Sequence, residues 1–591
     1  MISERIRSLG RISPRFPPLI EFGLLTCLWT VSVAIVNPVG EFAIIDDGLY
    51  ESIVKHLLAT GQFPNPEPAS ATLLTNIYWG AAFSLLKGVS FTTLRMSTLL
   101  ASLLGLFGIS VLARDLGIPV SLRFLVVLTI AFSPAYHALS YSFMTDVPFA
   151  ALVIWASVFF VRSVNSNSLV HLGLATALTV VATLSRQVAL AMPIAYGIGV
   201  FFKEGMHPSF KTCLRALIPI LIPAVALKDY FYVMASTHRL PITYNFFSNI
   251  MLSTLTHGSA LRTVPFVNVY ITVLYLGLFL LPVLLATTGG LSRYRSTPFW
   301  LFFIFSLALA IAGALIRLRL GLSNVVPLPE SHVLVPPGIG LLWLRGGHSV
   351  AGLSPEFWSI VTSLGALGSL LLLAQLSATA RDLTGFVMRK SLSTAPQVGT
   401  LYLLVTGIIL LGPYLFTGAS DRYLIPALPL LAVAMASASL WSPQEPSPIL
   451  VVSRTSAPVL LFGAVAFSVI GTRDYLEWHR ISAAASTALI DDHIRPQRID
   501  GGEEFNAYYP AYQGHENEID FSDLESDPSG YIFTDEIKRQ GKVVERVAWR
   551  PPTVEYIVGF EPIPGYSIIQ EYSYYNWMPP HRQKILVLSR N

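Results

Sequence analysis

The stretch EFAIIDDGLYESIVKHLLATGQF, residues 41–63, sets two carboxylates side by side, Asp46 and Asp47, directly after the first long apolar run. A third acid, Asp146, stands in MTDVP between HALSYSFM and the next apolar run. A carboxylate so placed can take the proton from an acceptor hydroxyl. Cations that could bind a departing phosphate lie nearby in kind: Arg186 in SRQ, Arg422 in SDRY, and Lys55 in the helix-like segment that follows the acid pair. Each residue also has a plainer role. Asp is a preferred helix cap, contributing roughly 1 kcal/mol, and Thr145 with Pro148 makes a good helix start. An arginine between spans usually snorkels towards lipid headgroups, and Arg422 has Asp421 as a local partner.

The elements that must position these residues are membrane spans. Of 591 residues, 53% are hydrophobic and 13% charged, with a mean hydropathy of +0.58. Soluble proteins carry about 25% charged residues, so this is an integral membrane protein. Charge is divided unevenly: residues 1–472 hold 27 Lys+Arg against 16 Asp+Glu, and residues 473–591 hold 12 against 19. The membrane part is basic and the tail acidic. Two cysteines, Cys27 and Cys213, make no disulfide framework.

The N-terminus carries four arginines before the apolar run 17–36, which has no small-residue cleavage site before NPVGEF. It is expected to be a retained signal anchor with its basic flank in the cytoplasm. Runs long enough to cross, about 17–25 residues each, begin near residues 17, 93, 123, 148, 168, 188, 213, 266, 299, 356, 399, 424 and 457, which gives thirteen spans. The segment 72–88 is short, interrupted by glycine and closed by lysine, and is expected to be an interfacial helix in the first external loop, about residues 37–92. Thirteen crossings put the acidic tail outside. They also put DDG, MTDVP, SRQ, HGSALR, PESHV and SDRY at one outer face, where ionisable groups are functional candidates.

The tail, 473–591, reads as a small extracytoplasmic α/β domain: a helix over 475–493, a turn in RIDGGEEFNAYYPAY, then strand-like SGYIFT, VEYIVGF and KILVLSR.

In this order and over these spans, DDGLYESIVKHLLATGQF, TDVPFAALVIW, SRQVALAMPIAYG and DRYLIPALPLLAV resemble the GT-C fold glycosyltransferases that use polyprenyl-phosphate sugars. The nearest in kind are the protein O-mannosyltransferases, lipid A aminoarabinose transferases and galacturonosyltransferases. The resemblance covers most of residues 20–472. It implies that Asp46 is the catalytic carboxylate, with Asp47 where the family more often has Glu, and that Asp146 matches the acid opening the fourth span. Arg186 and Arg422 would then lie near the donor phosphate. IDGG with the following Glu and Asn also resembles a stretch found after the last span in some bacterial members.

The mechanism so implied is inverting transfer, at the outer face of the inner membrane, from a polyprenyl-phosphate sugar to a glycan, lipid or protein hydroxyl, with Asp46 as general base. Membrane lipid is a further partner, and no nucleic acid is expected. A divalent metal on Asp46, Asp47 and Asp146 is left open, with His56 and His332 as additional candidates; no metal-ligand spacing strengthens it. A transporter or flippase of an anionic lipid-linked glycan is the competing reading, although such proteins usually show repeat symmetry and helices broken at mid-membrane. A third has the tail as a sensor or assembly domain on a scaffold of spans.

Overall fold

The computed structural model describes residues 18–66, 69, 71–204, 209–288, 326–327, 331–388, 395–441, 448–512 and 554–591. Among them, eight helices are long and apolar enough to cross a membrane: Leu19–Val36, Phe91–Asp115, Asp146–Ser166, Phe210–Ser236, Val264–Thr287, Pro355–Met388, Pro396–Thr417 and Val451–Asp491. Four shorter apolar helices, Val120–Ala131, Leu169–Thr183, Gln187–Lys203 and Leu428–Ala438, fall on four further expected spans. Only the expected span near residue 299 lies outside the described residues. The chain is a polytopic α-helical membrane protein with a small C-terminal sheet.

Local chemistry explains where helices stop. Val120–Ala131 ends early because Ser133 caps a new helix, Pro134–Leu139, accepting the Tyr136 amide while Pro134 fills the first turn. The segment expected at the interface is a helix, Leu74–Lys87, shorter than a crossing. It packs closely: a Cβ on Gly80 would stand 2.3 Å from the ring of Phe143, three residues before Asp146. Helices Gly258–Thr287 and Pro355–Met388 approach backbone to backbone, since a Cβ on Gly277 would lie 2.3 Å from the Ser369 amide nitrogen. Small residues permit such contacts where lipid offers no hydrophobic drive.

The last span and the expected tail helix are one helix, Pro448–Asp491, of 44 residues. It carries the tail into a four-stranded sheet in the order Ile499–Asp500, Tyr556–Gly559, Pro580–Arg590, Tyr566–Trp577. The first pair is parallel and the others antiparallel. VEYIVGF and KILVLSR supply two of these strands; SGYIFT lies outside the described residues. The hairpin Leu334–Val335 and Gly338–Ile339 leads to Arg345, which bridges to Gly559 and so joins a loop between spans to the tail sheet.

Candidate active site

Asp46 immediately precedes helix Asp47–Thr60 and occupies its cap position, yet its side chain makes no capping bond. Asp47 instead accepts two amides from outside the helix, that of Ile44 at 2.5 Å and that of Phe143 at 3.4 Å. The two neighbours therefore divide the work. Asp47 is buried and closes the turn, and Asp46 keeps a side chain that is 35% exposed. Immediately before them, Ile45 has φ +57°, a conformation costly for a β-branched residue. Such strain persists where surroundings hold it.

Asp146 repeats the pattern. It opens helix Asp146–Ser166, the cap residue Thr145 makes no side-chain cap bond, and the Thr145 hydroxyl accepts from Arg186 at 2.7 and 2.9 Å. Arg186 Nη2 lies 3.0 Å from Asp146 Oδ1, with the Asp146 side chain 0% exposed. Arg422, in the short helical turn Asp421–Leu424, places Nη1 4.0 Å from Asp46 Oδ2. Its guanidinium also lies 5.2 Å from the ring of Tyr423, which stacks on Tyr414 at 4.5 Å. Four separate segments of the chain thus deliver two acids and two arginines to one place.

The surrounding charges favour the protonated forms of both arginines. Burial opposes the charge on Arg422, but Tyr423, Asp146 and Asp46 outweigh it and its pKa is raised. Burial likewise opposes charge on Arg186, and Asp146 followed by Tyr414 more than restores it. Tyr50, on the helix that follows Asp46, has its pKa raised by burial and then by Asp46. Several polar atoms here are buried without a hydrogen bond: both Asp146 carboxylate oxygens, of which Oδ1 is ion-paired with Arg186, and Nε and Nη1 of Arg422. Unsatisfied buried groups of this kind are costly, and a ligand or water that satisfies them binds favourably.

Asp421 is not the ionic partner of Arg422. Its carboxylate accepts the amides of His332, Val333 and Leu334 as well as that of Arg422, at 2.8–3.3 Å. Asp421 therefore ties the loop at 331–335 to the turn that carries Arg422 and leaves the guanidinium to Asp46. His332 Nδ1 meets Ser420 at 2.8 Å, and His56 is exposed. Lys55 faces the tail, with Nζ 2.7 Å from Glu51 and 2.9 Å from the Tyr508 hydroxyl. Of the six expected site residues, Asp46, Asp146, Arg186 and Arg422 are brought together. Asp47 and Lys55 are engaged elsewhere.

Among the described residues no group of three His, Cys, Asp or Glu could hold a metal. Asp47 is committed to backbone amides, and each remaining carboxylate already faces a guanidinium. Among the described residues these side chains assemble as acid–guanidinium pairs and not as a cluster of cation ligands.

Sequence reasoning overlooked Arg95, Tyr50 and Tyr414, and read Thr145 only as part of a helix start. Arg95 donates to the carbonyls of Pro38, Gly40 and Phe42 and stacks 3.9 Å from the Phe42 ring, fixing the approach to Asp46. An arginine in the first turn of an apolar run was the available signal. No hydropathy or spacing marks the tyrosines.

No protein-family model matches this sequence, and neither does any curated protein. The chain is similar to solved structures of ArnT and AglB. ArnT from Cupriavidus metallidurans, bound to undecaprenyl phosphate, aligns over 96% of this chain and 97% of its own, at 13% identity and a TM-score of 0.38. Its apo form gives 14% and 0.38 over the same shares. The archaeal oligosaccharyltransferase AglB from Archaeoglobus fulgidus, in complex with an inhibitory peptide and a dolichol-phosphate, aligns over 83% of this chain and 60% of its own, at 11% identity and a TM-score of 0.36. At these scores the likeness decides neither fold nor chemistry, which rest on the side chains above.

Proposed function

We propose that this protein is a membrane glycosyltransferase that moves a sugar from a polyprenyl-phosphate donor to a hydroxyl acceptor at the outer membrane face. The observation that carries the reading is the convergence, 4.0 Å apart, of an Asp46 whose side chain makes no capping bond and an Arg422 whose Nε and Nη1 make no hydrogen bond. That pairing sets a proton acceptor beside an anion site, as the two ends of such a transfer require.

The acceptor oxygen attacks the anomeric carbon while Asp46 takes its proton, and the bond to phosphate oxygen breaks with inversion. Polyprenyl phosphate leaves with an added negative charge, which Arg422 receives through charge-assisted hydrogen bonds. Arg186 adds positive field, and its grip on Thr145 and Asp146 keeps it in place. Fixed cations aimed at charge that grows during reaction favour the transition state over the ground state. An apolar groove of about 250 Å³, lined by Phe279, Leu334, Trp358 and Phe467 among others, suits an isoprenoid chain. Leu334 belongs both to this groove and to the loop whose amides hold Asp421. The N-terminus is inside and the tail outside in this reading, in the inner membrane of a cell envelope.

Purified protein in nanodiscs, offered a panel of polyprenyl-phosphate sugars with membrane extract as acceptor, tests this. Transfer or slow hydrolysis of one donor supports the enzyme and names the sugar. Binding without release from any donor points to the transporter.

A further inference from the structure

Helix Asp47–Thr60, which follows the proposed base, is held from outside the membrane part. Tyr508, on helix Glu503–Tyr512 of the tail, donates its hydroxyl to Glu51 at 3.0 Å and receives Lys55 Nζ at 2.9 Å. Glu51 and Lys55 pair with each other at 2.7 Å, one helical turn apart, so a single phenol closes a three-membered polar cluster. The Glu51 side chain is nearly fully buried. The Tyr508 ring lies against the backbone two residues from Asp46: a Cβ on Gly48 would stand 3.2 Å from it. Its other side meets Phe91 edge-on at 5.4 Å.

The same tail segment also holds Arg345, in the loop whose other end binds Asp421. Asp500 accepts from Asn506 at 2.8 Å and from Arg345 Nε at 2.6 Å, while the Gly501 amide donates to Asn506. Gly502 has φ +90° and leaves no room for a Cβ against Leu344. The turn in RIDGGEEFN is thereby locked to the loop holding Arg345. That loop continues back through the hairpin at Leu334 to the three amides on Asp421, the residue before Arg422.

We propose that residues 498–512 form a clamp that sets the separation of Asp46 and Arg422, with Tyr508 and Asp500 as its positioning residues. One arm runs through Tyr508 to the helix behind Asp46. The other runs through Asp500, Arg345 and the 332–334 amides to Arg422. The proposal rests on the reading of Asp46 as base and Arg422 as phosphate site. Neither positioning residue touches substrate. A change of about 1 Å in such a geometry can cost on the order of 100-fold in rate.

The two arms are expected to fail differently. Full-length protein in nanodiscs would be compared as wild type, Tyr508→Phe, Glu51→Gln and Asp500→Asn. The measurements are kcat and KM for the donor the wild type uses, the Kd of undecaprenyl phosphate, the melting temperature, and hydrogen exchange at the amides of 44–51 and 332–334. Tyr508→Phe and Glu51→Gln should lower kcat about 10- to 100-fold, leave the Kd of undecaprenyl phosphate unchanged, and speed exchange over 44–51 alone. Asp500→Asn should raise KM and Kd and speed exchange at 332–334. Uniform loss of kcat and affinity in step with melting temperature would overturn the clamp, as would wild-type values in all the variants. If the wild type transfers nothing from any donor, the glycosyltransferase reading fails by itself. The clamp is then judged by exchange and lipid-phosphate affinity, and is overturned if both arms respond alike or not at all.

Discussion

Replacing Arg186 by alanine would leave Asp146 buried beside Arg422 alone. Arg186 and Asp146 are 3.0 Å apart with the acid 0% exposed, so their Coulomb attraction is about 5.5 kcal/mol at an effective dielectric of 20. Desolvation offsets much of that in the intact protein, but removing one partner of a buried pair typically costs about 3–5 kcal/mol, because the other charge stays behind. Arg186→Ala should therefore lower the melting temperature of protein in nanodiscs by several degrees. Arg186→Lys keeps the charge and loses the paired bonds to Thr145, and should fall between. The double variant Arg186→Gln, Asp146→Asn removes both charges and should regain most of the lost stability while remaining inactive. Recovery of stability without activity would separate the structural role of the pair from its field at the phosphate. An unchanged melting temperature in Arg186→Ala, or a double variant no more stable than the single one, would refute the reasoning.

Arg422→Ala should weaken undecaprenyl phosphate binding by about 10- to 100-fold, the worth of a charge-assisted bond of about 1.5–3 kcal/mol; titration of the lipid phosphate against both proteins checks it. Burial, opposed by Arg95 and two backbone amides, pushes the Asp47 carboxyl from 3.8 up to about 7. Its folded-state pKa is raised, so its stabilising contribution is complete below about pH 4 and is lost as pH rises towards 7. Asp47→Asn should accordingly flatten the decline in melting temperature between pH 4 and 7, measured by calorimetry. Gly277→Val would drive a side chain into the backbone of the neighbouring helix and should abolish the monodisperse peak in size-exclusion chromatography.

Much of this was legible in the sequence because lipid imposes a simple rule. Spans need long apolar runs, so the helices and the rarity of Arg186 and Arg422 between them stand out. The division of labour between Asp46 and Asp47 was not legible. Both are carboxylates at a helix start, and only the positive φ of Ile45 and the amide of Phe143, 96 residues away, commit Asp47 to the turn. Lys55 misled for a related reason: an outward-facing lysine near two acids suggests phosphate, whereas Tyr508, 453 residues further on, claims it. Asp421 looked like the partner of Arg422 because they are adjacent. Neighbours in sequence point different ways in a helical turn, and the amides of 332–334 capture the acid. The unbroken helix Pro448–Asp491 was hidden because hydropathy falls along it while helix propensity does not.

The measurement that bears most directly on the site is turnover at saturating donor for Asp46→Asn beside Arg422→Ala and wild type. A positioned base contributes about 10²- to 10⁴-fold, so Asp46→Asn should lose that much in kcat and still bind undecaprenyl phosphate as wild type does. Wild-type turnover by Asp46→Asn would contradict the account.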